Sequence, residues 1–301
     1  MDLTATAGVI WSYTRVFVLI FGTLTAAAFA VGSLAFGTWE WHHLALFFVA
    51  VAWIRASITL YNHRYFTHAA FEFTRLGDWT IRPLLAFGAA IGVQGPTTTW
   101  AKQHKRHHAH VDDWIRDPHS PIAPGGWLHQ VWGFLWAHMF WLPNMKHDSR
   151  YDNTKGRDWL EHVFCNGLTY LLFGPLLFAT IVWCLSGWLA VAWYFTAVCF
   201  TLHVTWAVNS VSHLWGSRPF PTKDHSVDCW WLAWLSPEFW HNGHHAFASS
   251  ARFCHKWWQL LTDPEYLFIV FCSWLGPIAL IRNISVPSAE QIARRQQGAA
   301  V

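Results

Sequence analysis

The stretch from Trp41 to His68, WHHLALFFVAVAWIRASITLYNHRYFTH, decides how this chain folds. Its residues up to Tyr61 are almost wholly apolar, with Arg55 the one internal full charge. A bilayer takes about 20 such residues as a helix. The run then closes on two histidines, His63 and His68, in the segment HRYFTH. A membrane span that ends in paired metal-ligand side chains sets the pattern to look for elsewhere.

Three further stretches match the apolar part. They run over 13–36, 166–185 and 188–208. Ser186-Gly187 is all that joins the last two, so they are expected to form a tight antiparallel hairpin. The expected fold is an all-α integral membrane protein, with four transmembrane helices (13–36, 41–61, 166–185 and 188–208). A helical cytoplasmic cap, 62–165 and 209–301, holds a dimetal site, and the whole of 1–301 is read as one domain. The first run resembles a signal peptide, with Ala28-Phe29-Ala30 in place of a cleavage site, but it has few basic residues before it and is long for one. It is read as an uncleaved helix. A weaker apolar run, 266–281, is interrupted by Gly276-Pro277 and read as buried or interfacial.

Composition agrees. The 301 residues are 53% hydrophobic and only 12% charged, which excludes a disordered chain. A net charge of +3 spread over that length gives no nucleic-acid footprint. Eleven Lys/Arg lie in 62–165 and seven follow residue 208, while the hairpin tips carry none. The positive-inside rule puts both polar segments in the cytoplasm. The six cysteines form no C-x-x-C pair and read as small buried hydrophobes.

The histidines are clustered. HRYFTH is followed by HKRHH (His104, His107, His108) and HNGHH (His241, His244, His245). On a helix, positions i, i+3 and i+4 share a face, so each triplet is expected to aim at one point. The fourth span ends in Asn209 and His213, at the same depth as His63. Eight or nine imidazoles exceed one tetrahedral zinc site and suit two metals. Imidazole alone does not choose the metal. Redox chemistry on a lipid chain would need iron rather than zinc. The other eleven histidines, among them His119, His138, His147 and His203, are read as hydrogen-bonded packing residues. Carboxylates near the clusters, Asp112, Asp113 and Glu238, are candidates to orient imidazoles through their N–H groups.

With these motifs in order, the sequence resembles the membrane fatty-acyl desaturases, most closely the acyl-CoA Δ9 (stearoyl-CoA desaturase-like) family in its bacterial form. The segment TWAVNSVSHLWG, Thr205 to Gly216, and Asp117-Pro118-His119 fit the same pattern. The resemblance spans roughly residues 10 to 280. It implies two iron ions (Fe2+) held by His63, His68, His104, His107, His108, His213, His241, His244 and His245, with Asn209 acting through a water. No catalytic residue beyond these is implied. It implies a narrow acyl tunnel whose bend is shaped by Gln94, Trp100 and Thr205, and it makes Trp206 a further tunnel candidate. Lys102, Lys105 and Arg106 lie where the phosphates of a CoA headgroup would be met.

The implied reaction is oxygen-dependent desaturation of a fatty acyl chain, expected as acyl-CoA at Δ9. Its partners are O2, the lipid bilayer and a separate electron-donor protein of ferredoxin, rubredoxin or cytochrome type with its reductase. The implied location is a multi-pass protein of the bacterial inner membrane. Two departures from the family pattern stand out: Tyr61 replaces a glycine and would reshape the tunnel, and Ala69 replaces a basic residue. The rivals are a hydroxylase or other oxygenase of the same diiron superfamily, and a non-catalytic membrane metal-binding protein. The second would place ionisable residues along a path inside the spans. Here these are few.

Overall fold

The computed structural model describes residues 3–145, 149–151 and 159–298; the side chains of residues 3–15, Val18, Asn144 and Ser149 lie outside that description, as does the whole of His147. Among the described residues the α-helices are α1 (Leu3–Ala35), α2 (Trp41–Ser57), α3 (Arg75–Trp79), α4 (Ile81–Ile91), α5 (Thr97–His110), α6 (Trp127–Leu135), α7 (Trp159–Cys165), α8 (Gly167–Leu171), α9 (Leu177–Val211), α10 (His241–Ala246), α11 (Pro264–Trp274) and α12 (Ala289–Gln296).

Two helical runs, Trp41–Thr67 and Gly167–Val211, are long and apolar enough to cross a membrane. The second is 45 residues long, about twice what one crossing needs. It folds back on itself. Gly187 has φ of 74°, a left-handed backbone that breaks the helix and that only glycine adopts at low cost. Phe178 and Tyr194, sixteen positions apart, have ring centroids 4.9 Å from one another. A continuous helix would separate them by about 24 Å. The expected 166–185 and 188–208 segments are thus the two arms of one hairpin. α1 adds a shorter apolar stretch, Leu19–Ala35. It reaches the second arm through Phe29 and Trp188, 6.0 Å apart.

The first arm of the site is not α-helical. After α2 the chain continues as a π-helix over Ile58–Thr67. Its ladder closes with the His68 N–H donating to the His63 carbonyl at 3.1 Å. In an α-helix position i+5 is about 140° from position i. In a π-helix the wider turn brings it back to nearly the same face. The five-residue spacing of HRYFTH therefore requires this rarer geometry.

The all-α expectation misses one element. β1 (Glu72–Phe73) pairs antiparallel with β2 (Ile281–Arg282), with Glu72 opposite Arg282 and Phe73 opposite Ile281. This ladder ties the end of the chain to the loop after the first box. The tie is reinforced by buried ion pairs. The Arg64 guanidinium lies 2.7 Å from Asp263, both fully buried, and sits over the Phe253 ring at 4.1 Å. Arg55 lies 2.8 Å from Glu265 in the first turn of α11. Tyr61 is fully buried in this core, stacked on Tyr65 with centroids 5.7 Å apart.

Candidate metal centre

Nine histidines converge in two groups among the described residues. His63, His68, His104, His108 and His244 present five ring nitrogens within 4.8 Å of one another, and His107, His213, His241 and His245 present four. These are the nine named from the sequence. Their division corrects one expectation. Each H-x-x-H-H triplet does not aim at a single point. In α5, His104 and His108 join the first group and His107 the second; in α10, His241 and His245 join the second and His244 the first. The reason is angular. On a helix, i+4 lies about 40° to one side of i and i+3 about 60° to the other. A triplet therefore straddles two centres.

The spacing of the nitrogens tests whether metals fit. In the first group Nε2 atoms are separated by 3.1 Å (His63 and His244), 3.0 Å (His68 and His104), 3.1 Å (His104 and His108) and 2.9 Å (His108 and His244). In the second they are separated by 3.3 Å (His107 and His245), 3.0 Å (His213 and His241) and 3.1 Å (His241 and His245). A metal about 2.1 Å from each nitrogen puts neighbouring nitrogens about 3.0 Å apart at right angles and about 3.4 Å apart in a tetrahedron. All the edges of the first group and two of the three in the second lie near the first figure, and the His107–His245 edge lies near the second. Facing imidazole nitrogens without a cation would repel whenever protonated. Burial, and then the neighbouring histidines, push His104, His108, His241 and His244 well below the usual histidine range. The neutral ring is the form that ligates a metal.

The outward nitrogens are also held. Four Nδ1 atoms face carboxylates: His63 with Glu238 at 2.5 Å, His107 with Asp117 at 2.9 Å, His213 with Asp112 at 3.0 Å and His245 with Asp224 at 3.3 Å. A carboxylate so placed can accept a hydrogen bond from Nδ1–H, which keeps the proton there, leaves the Nε2 lone pair toward the centre and fixes the ring. Burial raises the Asp112 and Asp224 carboxyls, but His213 and His245 overcome it and hold both well below the usual range. Burial wins at Asp117, which is raised.

Asp112 and Glu238 are where sequence proximity placed them. Asp113 instead pairs with Arg116 on the surface. Asp117 and Asp224 were missed as partners. Asp117 lay in plain view, ten residues past His107 in the Asp-Pro-His motif, but Asp224 has no such marker. Replacing Asp117 by Asn is expected to lower metal affinity about 10- to 100-fold. Metal content after dialysis against a graded chelator reads this directly. Full retention would show that the carboxylate does not support His107.

A narrow cleft runs from the two groups down between α2 and α9. Val51, Arg55, Ile58 and Thr59 form one wall, and α9 residues from Phe200 to Asn209 form the other. At its head stand His104 of the five-nitrogen group, His107 and His241 of the four-nitrogen group, and Asn209. Three residues named from the sequence meet across the cleft. The Trp100 Nε1–H donates to the Gln94 side-chain oxygen at 3.2 Å, and the Gln94 amide donates to the Thr205 hydroxyl at 2.8 Å. This relay crosslinks the α4–α5 connection, α5 and α9 beside the histidines.

None of the three basic residues named from the sequence lines this cleft. Lys105 lines a separate open basin with His68, His108 and Arg295, while Lys102 and Arg106 sit half-buried on the same helix, outside the lining of the cleft. Tyr61 does not line the cleft either, so its bulk acts on the core. Trp206 packs beside His138 and His203, with centroids 6.0 and 5.1 Å away. His203 in turn bonds to His138 at 3.0 Å, and His110 to Tyr151 at 2.9 Å, as packing histidines do.

Comparison with known proteins gives a consistent picture. The family model described as fatty acid desaturase matches residues 39–262. An acyl-CoA C20 Delta5-desaturase of Anemone leveillei is 31% identical, covering 92% of this chain and 84% of its own length. The Delta-9 desaturase-like 5 protein of Arabidopsis thaliana is 35% identical over 84% of this chain and 80% of its own length. The Delta-9 acyl-lipid desaturase 2 of the same plant is 31% identical over 89% and 84%.

Proposed function

The chain belongs to the fatty acid desaturase family, and from that premise we propose how its own residues carry out the reaction. It is an oxidoreductase acting on fatty acyl chains. The finer reading is cis desaturation at Δ9 of an acyl-CoA. One hydrogen leaves each of two adjacent methylenes, and O2, two electrons and two protons end as two waters. The electrons come from a separate donor of ferredoxin, rubredoxin or cytochrome type. The apolar runs form four crossings of a bacterial inner membrane, with the cap on the cytoplasmic side.

Two iron ions are the metals of this reading. The five-nitrogen group holds one, and the four-nitrogen group, with Asn209 reaching through a water, holds the other. When bound, they supply the oxygen activation and redox chemistry that imidazole and carboxylate side chains lack. The five nitrogens of the first group, one more than a tetrahedral zinc site takes, support iron over zinc.

The protein's own part is positioning. The cleft takes the acyl chain between α2 and α9 and keeps water from the reacting carbons. The Trp100–Gln94–Thr205 relay holds the wall where the chain passes the histidines. A bend there brings two neighbouring methylenes to the centre in the cis-like arrangement, and an error of about 1 Å at such a point costs on the order of 100-fold in rate. The observation that carries the reading is this coincidence of an apolar cleft with the head of both histidine groups. Relatives named as Δ9 desaturases support the bond position.

The test is to express the chain in a desaturase-deficient host and analyse its lipids by mass spectrometry after derivatisation of double bonds. A new monoene at Δ9 is expected. A product that has gained an oxygen would overturn the reading in favour of a hydroxylase. A monoene at another carbon would overturn the Δ9 assignment alone.

A further inference from the structure

The chain holds 24 tryptophans, and the metal centre uses few of them. Many are exposed, and in the cap they are not scattered. The segment after Cys229 exposes Trp230, Trp231, Trp234 and Leu235. The turn at 257–262 exposes Trp257 (82%), Trp258 and Leu261. Helix α6 exposes Trp127 (71%), Leu128, Val131 and Trp132, and of its nine residues only Gly133 is buried. None of these three segments contains a charged residue. Apolar surface of this extent in contact with water marks an unfilled interaction site.

Their depth identifies the occupant. Ala233, Leu232 and Leu260 pack in one cluster with Val204, Ala207, Val208 and Val211, the final turns of α9. Trp188, exposed at 63%, stands at the other end of that arm. Twenty residues from Trp188 to Val208, at about 1.5 Å each, make about 30 Å, the thickness of a bilayer's hydrocarbon core. The same interval separates exposed Trp41 from Tyr61 at the end of the α2 run. α6 is held at the same level, with the Phe134 ring 5.7 Å from that of Trp215 and, just past the helix, the His138 Nδ1 3.1 Å from the Ser210 hydroxyl. The cap tryptophans therefore lie one hydrocarbon thickness from the hairpin-tip tryptophans. Indoles favour that boundary, where the ring is in hydrocarbon and the N–H meets headgroups.

We propose that α6, the 230–235 segment and the 257–262 turn form a tryptophan collar sunk into the headgroup–acyl boundary of the bilayer leaflet nearest the cap. The occupant is lipid. The collar seats the cap in the membrane rather than above it. Because Leu235 both belongs to the collar and lines the cleft, one wall of the cleft is anchored by lipid. This rests on the membrane-spanning reading of the helices and not on the chemistry of the centre.

Spin labels test it on the full chain in phosphatidylcholine–phosphatidylglycerol vesicles. Single cysteines replace Leu128, Trp234 or Trp257 in a background where exposed Cys184 and half-exposed Cys165 are serine. Phe29 and Ile181, exposed on the spans, serve as lipid references, and Lys223 and Gln297 as water references. Power saturation compares access by O2, which concentrates in lipid, with access by a water-soluble nickel chelate. At the collar sites O2 is expected to exceed the chelate, as at Phe29. Chelate access as high as at Lys223 would overturn the proposal. So would low access by both reagents, which marks burial against a protein, including a second copy of this chain. If the Phe29 and Ile181 labels are themselves open to the chelate, the spanning reading has failed, and the collar with it. A wild-type metal content in each labelled variant establishes that the cap is folded.

Discussion

The His244→Ala variant is expected to lose double-bond formation to background and to hold substantially less metal. His244 is 1% exposed, and its Nε2 lies 3.1 Å from that of His63 and 2.9 Å from that of His108. It is the one ligand that α10 sends to the five-nitrogen group. Without it the group has no ligand from the third box, and the two centres lose a shared support. Partners that merely orient a ligand are worth about 10- to 100-fold in affinity or activity. Loss of the ligand itself should therefore exceed about 100-fold. Metal per chain and product per cell are the two readouts, with His110→Ala as the control. His110 pairs with Tyr151 outside both groups and should leave both readouts unchanged. Wild-type metal and product in His244→Ala would refute the assignment of the first group.

The second large effect is on stability. In the Asp263→Ala variant the Arg64 guanidinium, fully buried, faces no carboxylate at Asp263's place. Removing one member of a buried pair leaves an uncompensated charge and costs about 3–5 kcal/mol. Asp263 does more than pair. It also accepts from the Tyr266 N–H at 3.0 Å and the Phe253 N–H at 3.2 Å, capping α11. A fall of several degrees in the thermal midpoint in detergent is expected, together with metal loss, because Arg64 adjoins His63. The double variant Arg64→Met, Asp263→Leu keeps the volume without the stranded charge. It should be more stable than the single one. A single variant as stable as wild type would show that water or another group solvates Arg64.

The clustering of the histidines was legible because metal chemistry restricts residue type and spacing together. Two H-x-x-H-H triplets and one H-x-x-x-x-H at the end of an apolar run left little freedom for eight of the nine. The apolar hairpin was legible for a similar reason: Ser186-Gly187 between two long runs admits only a sharp reversal. What the sequence hid was angular. Nothing in HRYFTH announces a π-helix, and the split of each triplet follows only once two centres lie on either side of one helix. Asp224 was hidden because a supporting carboxylate is recruited through space, and no spacing rule binds it to His245. Lys105 illustrates the same limit: adjacency along α5 did not show that it lines an open basin beside His68 and His108 rather than the cleft.

The split triplets carry one more consequence. α5 and α10 each supply ligands to both groups, so an ion seated in one group also immobilises the helices that form the other. The ordering cost of the second site is then largely met by the first, and the two affinities are thermodynamically linked. Loading should be cooperative and symmetric, with half-filled molecules scarce at intermediate metal concentrations. On the two-iron reading proposed above, such all-or-none assembly would keep one-metal species, with their incomplete chemistry, rare.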